Sequence, residues 1–529
     1  MFYFSYEYIP FFLGFTLLAY FSVSLKRRWI VLLAASLAFY FYYTKLLVAY
    51  ILITSAAVYF SALWLEKIDL CTTAAVQHLP PGEKADYKKS VAWQKKAVVV
   101  SLLLVDFGIL AMLEYSGYAA GEVNRLLRRL PIQTRLPVLQ MALPLGISFY
   151  TLQAAGYVID VYRKKVKANS NFGEVLLFLS FFPQIVEGPI GRYGQLAPQL
   201  YEGHRFNYED FTGGMQLILW GLLKEIVIAD RASMLVDQVF GHYSQYSGMA
   251  VVLAILLYTL QLYADFSGCI DVAIGSAQMF GIHLAPNFRR PFFSESVNEF
   301  WRRWHITLGA WLRDYIFYPV ALSKPIGKLN RYVRRWHSTH LRKCAAAGGA
   351  LFFVWLGMGI WHGAGLKYIA YGMYYFLLMM LGMLFEPFAF RITSSLHINR
   401  DGGPYHLFQI FRTFVLVNIG LLIFRAGTLK TALIMFLSVF RGTGLSAVTN
   451  GSLLHLGLDI NDLAVLGAGV LVLFAVGLLQ EKGISVRSAV GRWPLPARWA
   501  VHLSAVFVLI ILGAYGVGYN PADLIYAKF

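Results

Sequence analysis

The chain has 529 residues, of which 58% are hydrophobic, 16% aromatic and 14% charged, with a net charge of +18 and a mean hydropathy of +0.57. A soluble domain carries roughly 45–50% apolar and about 25% charged residues, so these figures exclude a soluble enzyme, a disordered chain and a secreted disulfide scaffold. Cytoplasmic loops of membrane proteins collect Lys and Arg, which accounts for the charge with no nucleic acid as partner, and no nucleic-acid motif is present.

A helix needs about 20 mostly apolar residues to cross a bilayer. In chain order such segments are 8–25, 30–44, 46–65, 97–116, 141–160, 173–188, 213–230, 249–282 (one span or two), 350–366, 367–387, 406–425, 462–480 and 499–519. Several are short or broken by Pro and Gly. The pattern predicts an all-α polytopic membrane protein with about 11–13 transmembrane or re-entrant helices. The first segment lacks a basic leader and a small-residue cleavage site, so it reads as a retained span.

Basic clusters orient the chain. Lys26, Arg27 and Arg28 follow the first span, and a loop over 84–96 holds Lys84, Lys88, Lys89, Lys95 and Lys96. Two spans separate them, so both fit the cytoplasm with the N-terminus outside. Arg163, Lys164, Lys165 and Lys167 fall on the same side. Arg125, Arg128, Arg129 and Arg135 fall outside on this count, which calls for either an interfacial amphipathic helix or a span count off by one. Cys71, Cys269 and Cys344 lack both disulfide and metal spacing and read as buried small hydrophobes.

Residues 283–345 are the densest basic region, with twelve Lys or Arg against Glu295, Glu299 and Asp314. That surplus is half of the whole chain's. The region also holds Trp301, Trp304, Trp311 and Trp336. Arg and Trp together predict amphipathic helices at the cytoplasmic interface.

Two of twelve histidines stand out. His305 lies in Trp301-Arg302-Arg303-Trp304-His305, and His362 in Gly359-Ile360-Trp361-His362-Gly363-Ala364-Gly365. Burial keeps an imidazole neutral at pH 7, able to accept a hydroxyl proton as a general base. A histidine that merely bridges helices fits the same pattern. His337 and His340 are spaced i, i+3 without further ligands and read as a solvated face. Asp265, Asp106 and Glu114 are intramembrane acids, functional or paired to neighbours. Ser267 and Cys269 have no base placed by sequence. Phosphate-cradling loops, zinc-protease motifs and nucleophile elbows are absent from the sequence, and no metal site is expected.

Several ordered motifs resemble the membrane-bound O-acyltransferases over most of residues 140–425. They are Leu143-Pro144-Leu145-Gly146-Ile147-Ser148-Phe149-Tyr150 with Tyr157 to Arg163, Phe182-Pro183-Gln184 with Glu187-Gly188-Pro189-Ile190, and Leu219 to Lys224 with Ile228 to Arg231. The segments Glu299 to Tyr318 and Ile360 to Gly365 resemble the blocks that hold the family's two histidines. The resemblance implies a ring of tilted helices around a central funnel. It also implies His362 as the essential histidine, with His305 as the second. It divides the chain into 1–139 (N-terminal helices and basic cytoplasmic loop), 140–400 (catalytic core) and 401–529 (C-terminal helices).

The same resemblance implies transfer of an acyl group, acetyl first, to hydroxyls of a cell-surface polysaccharide or its extracytoplasmic partner enzyme. The donor is an acyl-CoA or acyl carrier protein thioester arriving from the cytoplasm, with no permanently bound cofactor, in a bacterial inner membrane. Arg289, Arg290, Arg302 and Arg303 are candidates for attracting the anionic donor. Trp304 or Trp361 is the candidate oxyanion donor, with Asp265 as a further substrate-site residue. Leu219 to Arg231 and the 400–529 extension are similar to the alginate O-acetyltransferase branch. Lys367-Tyr368-Ile369-Ala370-Tyr371-Gly372 is closer to the branch that exports D-alanyl groups to teichoic acid, the runner-up activity. A non-catalytic transporter is the rival of another class; it predicts an internal repeat, and none is evident. A structural scaffold for a secretion complex is a third reading, and it would leave both histidines replaceable.

Overall fold

A computed structural model describes residues 4, 7–130, 135–138, 142–335, 338–441 and 456–515. Trp336, His337 and the last residues of the 499–519 segment lie outside the described residues. Among the described residues the chain is helical and contains no strand. Nine helical runs there are long and apolar enough to cross a membrane, and the shorter apolar helices Tyr8–Ser22 and Leu429–Ser438 join them.

Among the described residues these eleven agree with the expected 11–13 transmembrane or re-entrant helices, although individual segments differ from their expected bounds. Leu25–His78 is one run of 54 residues, about 80 Å at 1.5 Å per residue and far beyond one crossing. It breaks at Lys45, which has φ 50°, so Arg28–Thr44 and Val48–His78 are separate arms. Residues 249–282 hold a single helix, Met249–Met279. Ile147–Tyr162, about 24 Å long, is buried along its length except at Ile159 and Tyr162. A helix buried on every face, with Ser148, Thr151, Gln153 and Asp160 among its buried residues, belongs to a core and not to a lipid-facing wall. Phe172–Ser180 and Phe182–Ile185 are shorter still.

The chain divides into two compact units, Phe2–Ile218 with Ala273–Ala285, and Leu219–Val272 with Pro286–Lys528.

In the first unit, the expected basic loop over 84–96 is instead the start of a 44-residue helix, Lys84–Leu127. The Lys, Ala and Gln residues of 84–96 are strong helix formers, and no Gly or Pro lies among them. Arg125 lies in the last turn of that helix, where a cation complements the helix dipole, and not in a separate interfacial helix. Lys95 and Lys164 both pair with Asp69, at 2.8 and 3.1 Å, which brings two of the basic clusters to one end of this unit. Arg28 is buried too, donating to the carbonyls of His204 and Val23 between the rings of Tyr20 and Phe21. Cys71 is exposed, contrary to expectation, because it lies on the outer face near the polar end of the Val48–His78 helix; Cys269 and Cys344 are buried.

In the second unit, tight helix contact rests on glycine. A Cβ at Gly221 would lie 2.6 Å from the Gly268 carbonyl oxygen, the small-residue approach that membrane helices use to pack. Beside this seam, Lys224 pairs with Asp271 at 2.7 Å and donates to Ser267 Oγ at 2.8 Å. Between residues 286 and 335 the chain forms a series of short helices, and the Thr339–Trp361 helix begins within the rest of the basic region. In Lys324–Val333, Ile326 and Val333 are buried while Lys324, Lys328 and Arg331 face outward.

Candidate active site

The first histidine sits at a joint between two seven-residue helices. Ser296 begins Val297–Arg303 by accepting the Glu299 N–H at 3.1 Å, and Ile306–Leu312 follows. His305 joins them with φ 46° and ψ 53°, a left-handed conformation that costs a residue with a Cβ about 1–3 kcal/mol. Hydrogen bonds on both sides enforce it. The N–H groups of Ile306 and Arg289 donate to the carbonyls of Asn287 and Arg303, at 2.9 and 2.8 Å. The Thr307 N–H donates to Asn287 Oδ1 at 3.0 Å. The His305 ring is 2% exposed, with Nδ1 3.2 Å from Asn287 Oδ1 and Phe266 edge-on at 4.8 Å.

The second histidine follows the Thr339–Trp361 helix, in the turn before Leu366–Ser395. Gly363 (φ 132°) and Gly365 (φ 140°) make that turn, in a region that only glycine enters freely. His362 is also 2% exposed. Trp361, Phe424 and Tyr371 face its ring, with centroids at 5.0, 5.1 and 5.7 Å. Lys367 fixes the Phe424 end of Gly403–Arg425 by donating to the Phe424 and Ala426 carbonyls at 3.2 and 2.9 Å. Trp361 also lies 6.1 Å from His305, so one indole touches both imidazoles.

Both histidines lie in connections outside the spanning helices. Burial pushes His305 well below the ordinary histidine range, and nearby His362 adds to this. Burial alone pushes His362 down to about 3. Two neutral rings in an apolar, aromatic setting can accept or orient protons, and neither carries a standing charge at neutral pH.

The other candidates divide. Asp265 is 3% exposed and adjoins Phe266, which touches His305. Trp304 is buried among Phe288, Phe300, Tyr263 and Phe292, and Phe288 links this layer to Phe266 beside His305. Arg290 and Arg303 are both engaged by Glu481, at 2.6 and 2.9 Å, and Arg303 also by Glu299 at 2.5 Å. Arg289 and Arg302 are exposed. Ser267 is held by Lys224. Among the described residues no group of three or more His, Cys, Asp or Glu could hold a metal. Sequence reasoning missed Asn287, Phe266 and Phe424; an asparagine inside the 283–345 region was the one visible signal, and nothing in the spacing tied it to His305.

Residues 162–415 match the sequence profile of the membrane-bound O-acyltransferase family. A protein of Pseudomonas syringae pv. tomato named probable alginate O-acetylase AlgI is 30% identical over 438 residues, 83% of this chain and 74% of that protein. The chain belongs to the membrane-bound O-acyltransferase family. This acyltransferase is also similar to the peptidoglycan O-acetyltransferase of Helicobacter pylori, 29% identical over 70% of this chain and 68% of that one. The teichoic acid D-alanyltransferase of Bacillus subtilis is 27% identical over 46% of this chain and 59% of its own. Acyl transfer therefore takes the place of the transporter reading, in a multi-pass membrane protein. Both histidines of the acyltransferase fall within the matched residues.

Proposed function

We propose that the protein moves an acetyl group from a cytoplasmic thioester, on CoA or a carrier protein, to hydroxyls of a cell-surface polysaccharide or to an extracytoplasmic partner enzyme. It works in the bacterial inner membrane with the N-terminus outside. His362 is the general base. It takes the proton of the acceptor hydroxyl as the oxygen attacks the thioester carbon; the C–O bond forms, the C–S bond breaks, and the imidazolium returns its proton to the departing thiolate. The carbonyl oxygen gains charge during attack and needs a donor. The Trp361 indole is favoured over Trp304 because its ring adjoins both histidines. His305 orients the acyl group or its carrier.

The observation that carries this reading is a buried imidazole at 362 enclosed by Trp361, Phe424 and Tyr371, within residues that match an O-acyltransferase family. Acetyl is preferred to D-alanyl because similarity to the alginate O-acetylase extends over 83% of the chain, against 46% for the D-alanyltransferase. The test is to delete and restore the gene in its host and identify the acyl group that mild base releases from the envelope. Acetate that disappears on deletion and returns on complementation supports the proposal. D-alanine in its place supports the runner-up, and an unchanged envelope contradicts both.

A further inference from the structure

We infer that Asn287 is a positioning residue that fixes which nitrogen of His305 carries the proton. Asn287 is 1% exposed. Its Oδ1 accepts the Thr307 N–H at 3.0 Å and the Thr307 hydroxyl at 2.8 Å, and lies 3.2 Å from His305 Nδ1.

The orientation of the amide follows from chemistry. A backbone N–H only donates, so the atom 3.0 Å from the Thr307 nitrogen must be the amide oxygen and not its NH2 group. An oxygen acceptor facing Nδ1 requires that Nδ1 carry the hydrogen. In a neutral ring the lone pair is then on Nε2. The wrong tautomer would set two acceptors against each other in a buried place, where an unmet hydrogen bond is not replaced by water.

The backbone supports the same arrangement. His305 is held in the left-handed region, and the Asn287 carbonyl accepts from the next residue, Ile306, at 2.9 Å. One asparagine thus holds the ring through its side chain and the strained turn through its main chain. The ring can rotate about its own bonds only by giving up that contact.

This inference rests on the reading of His305 as the group that orients the acyl donor, but its central measurement does not. The protein is labelled with 15N-histidine, and the His305 signals are assigned by their loss in His305→Gln. The expected spectrum has hydrogen on Nδ1 and a bare Nε2 at neutral pH; hydrogen on Nε2 overturns the inference whatever the activity. For function, Asn287→Asp keeps an acceptor for Nδ1 and Thr307, whereas Asn287→Leu removes it. Asn287→Leu should lower kcat by about tenfold or more and leave the donor KM within about twofold. Asn287→Asp should recover most of the lost kcat. An Asp variant that inserts normally yet is as impaired as the Leu variant, or a Leu variant with wild-type kcat, also overturns it. If Asn287→Leu does not fold, the wild-type spectrum and the Asp variant still decide.

Discussion

The backbone of Gly359 runs so close to that of Tyr368 that a Cβ at 359 would fall 2.6 Å from the Tyr368 carbonyl oxygen and 3.2 Å from the Ile369 Cα. This contact closes the two helices on either side of His362. Backbone atoms cannot yield as a flexible side chain does, so Gly359→Ala should prise the turn open. Overpacking of this kind costs about 1–3 kcal/mol. The expected outcome is a lowered melting temperature in detergent together with reduced acyl transfer. Gly357→Ala, where a Cβ meets only the end of Ile316 at 3.4 Å, should be close to wild type in both. Equal behaviour of the two variants would contradict this role for Gly359.

The four arginines proposed for donor attraction should separate by environment. Arg303 is joined to Glu299 and Glu481, two residues before His305. Arg303→Ala takes the arginine partner from Glu299, leaves Glu481 to Arg290 alone, and should destabilise the protein by about 1 kcal/mol. Arg302 is exposed and bonds only weakly to the Asn298 carbonyl, at 3.4 Å. Arg302→Ala should leave the melting temperature unchanged and raise the KM for an anionic thioester about three- to tenfold at low salt, an effect that fades at high salt. Thermal scans and donor titrations at two salt concentrations check this. A salt-independent KM effect, or none, would rule out steering by Arg302.

Much of the fold was legible because lipid imposes a simple rule. The segments 406–425, 462–480 and 213–230 were visible as apolar runs and lie within Gly403–Arg425, Ile460–Glu481 and Tyr208–Gly241. The rule fails where apolar sequence means core and not lipid, as in Ile147–Tyr162, and where a polar stretch is helical, as at Lys84–Lys96. The site was half legible. His305 and His362 were marked by their Trp and Gly neighbours. Asn287 and Phe424 were hidden because they reach the histidines through the folding of distant segments, 18 residues away in the case of Asn287 and His305. Composition marked Arg290 and Arg303 as basic but did not reveal their pairing with Glu481.

Burial sets the expected pH dependence. An ordinary histidine titrates at 6.5, whereas His362 is pushed down to about 3 by desolvation. A general base works in its neutral form, which predominates above its pKa. The log of kcat/KM should therefore stay flat from about pH 8 to about pH 6, with no histidine limb near 6.5. Stability has a related sign. Between 6.5 and 3 the unfolded chain protonates this imidazole while the native protein does not, so the unfolded state binds more protons there. Stability present above 6.5 is lost as the pH falls through that window. A kcat/KM profile that halves near 6.5 in wild type would contradict a desolvated base.

The most direct test of the central claim replaces one ring. His362→Gln preserves much of the volume and removes the titratable base. In cells lacking the native gene, the variant should insert at wild-type abundance while base-labile O-acyl groups on the envelope fall by about a hundredfold or more, the range for loss of general-base catalysis. Wild-type O-acyl content from a correctly inserted His362→Gln protein would contradict the account.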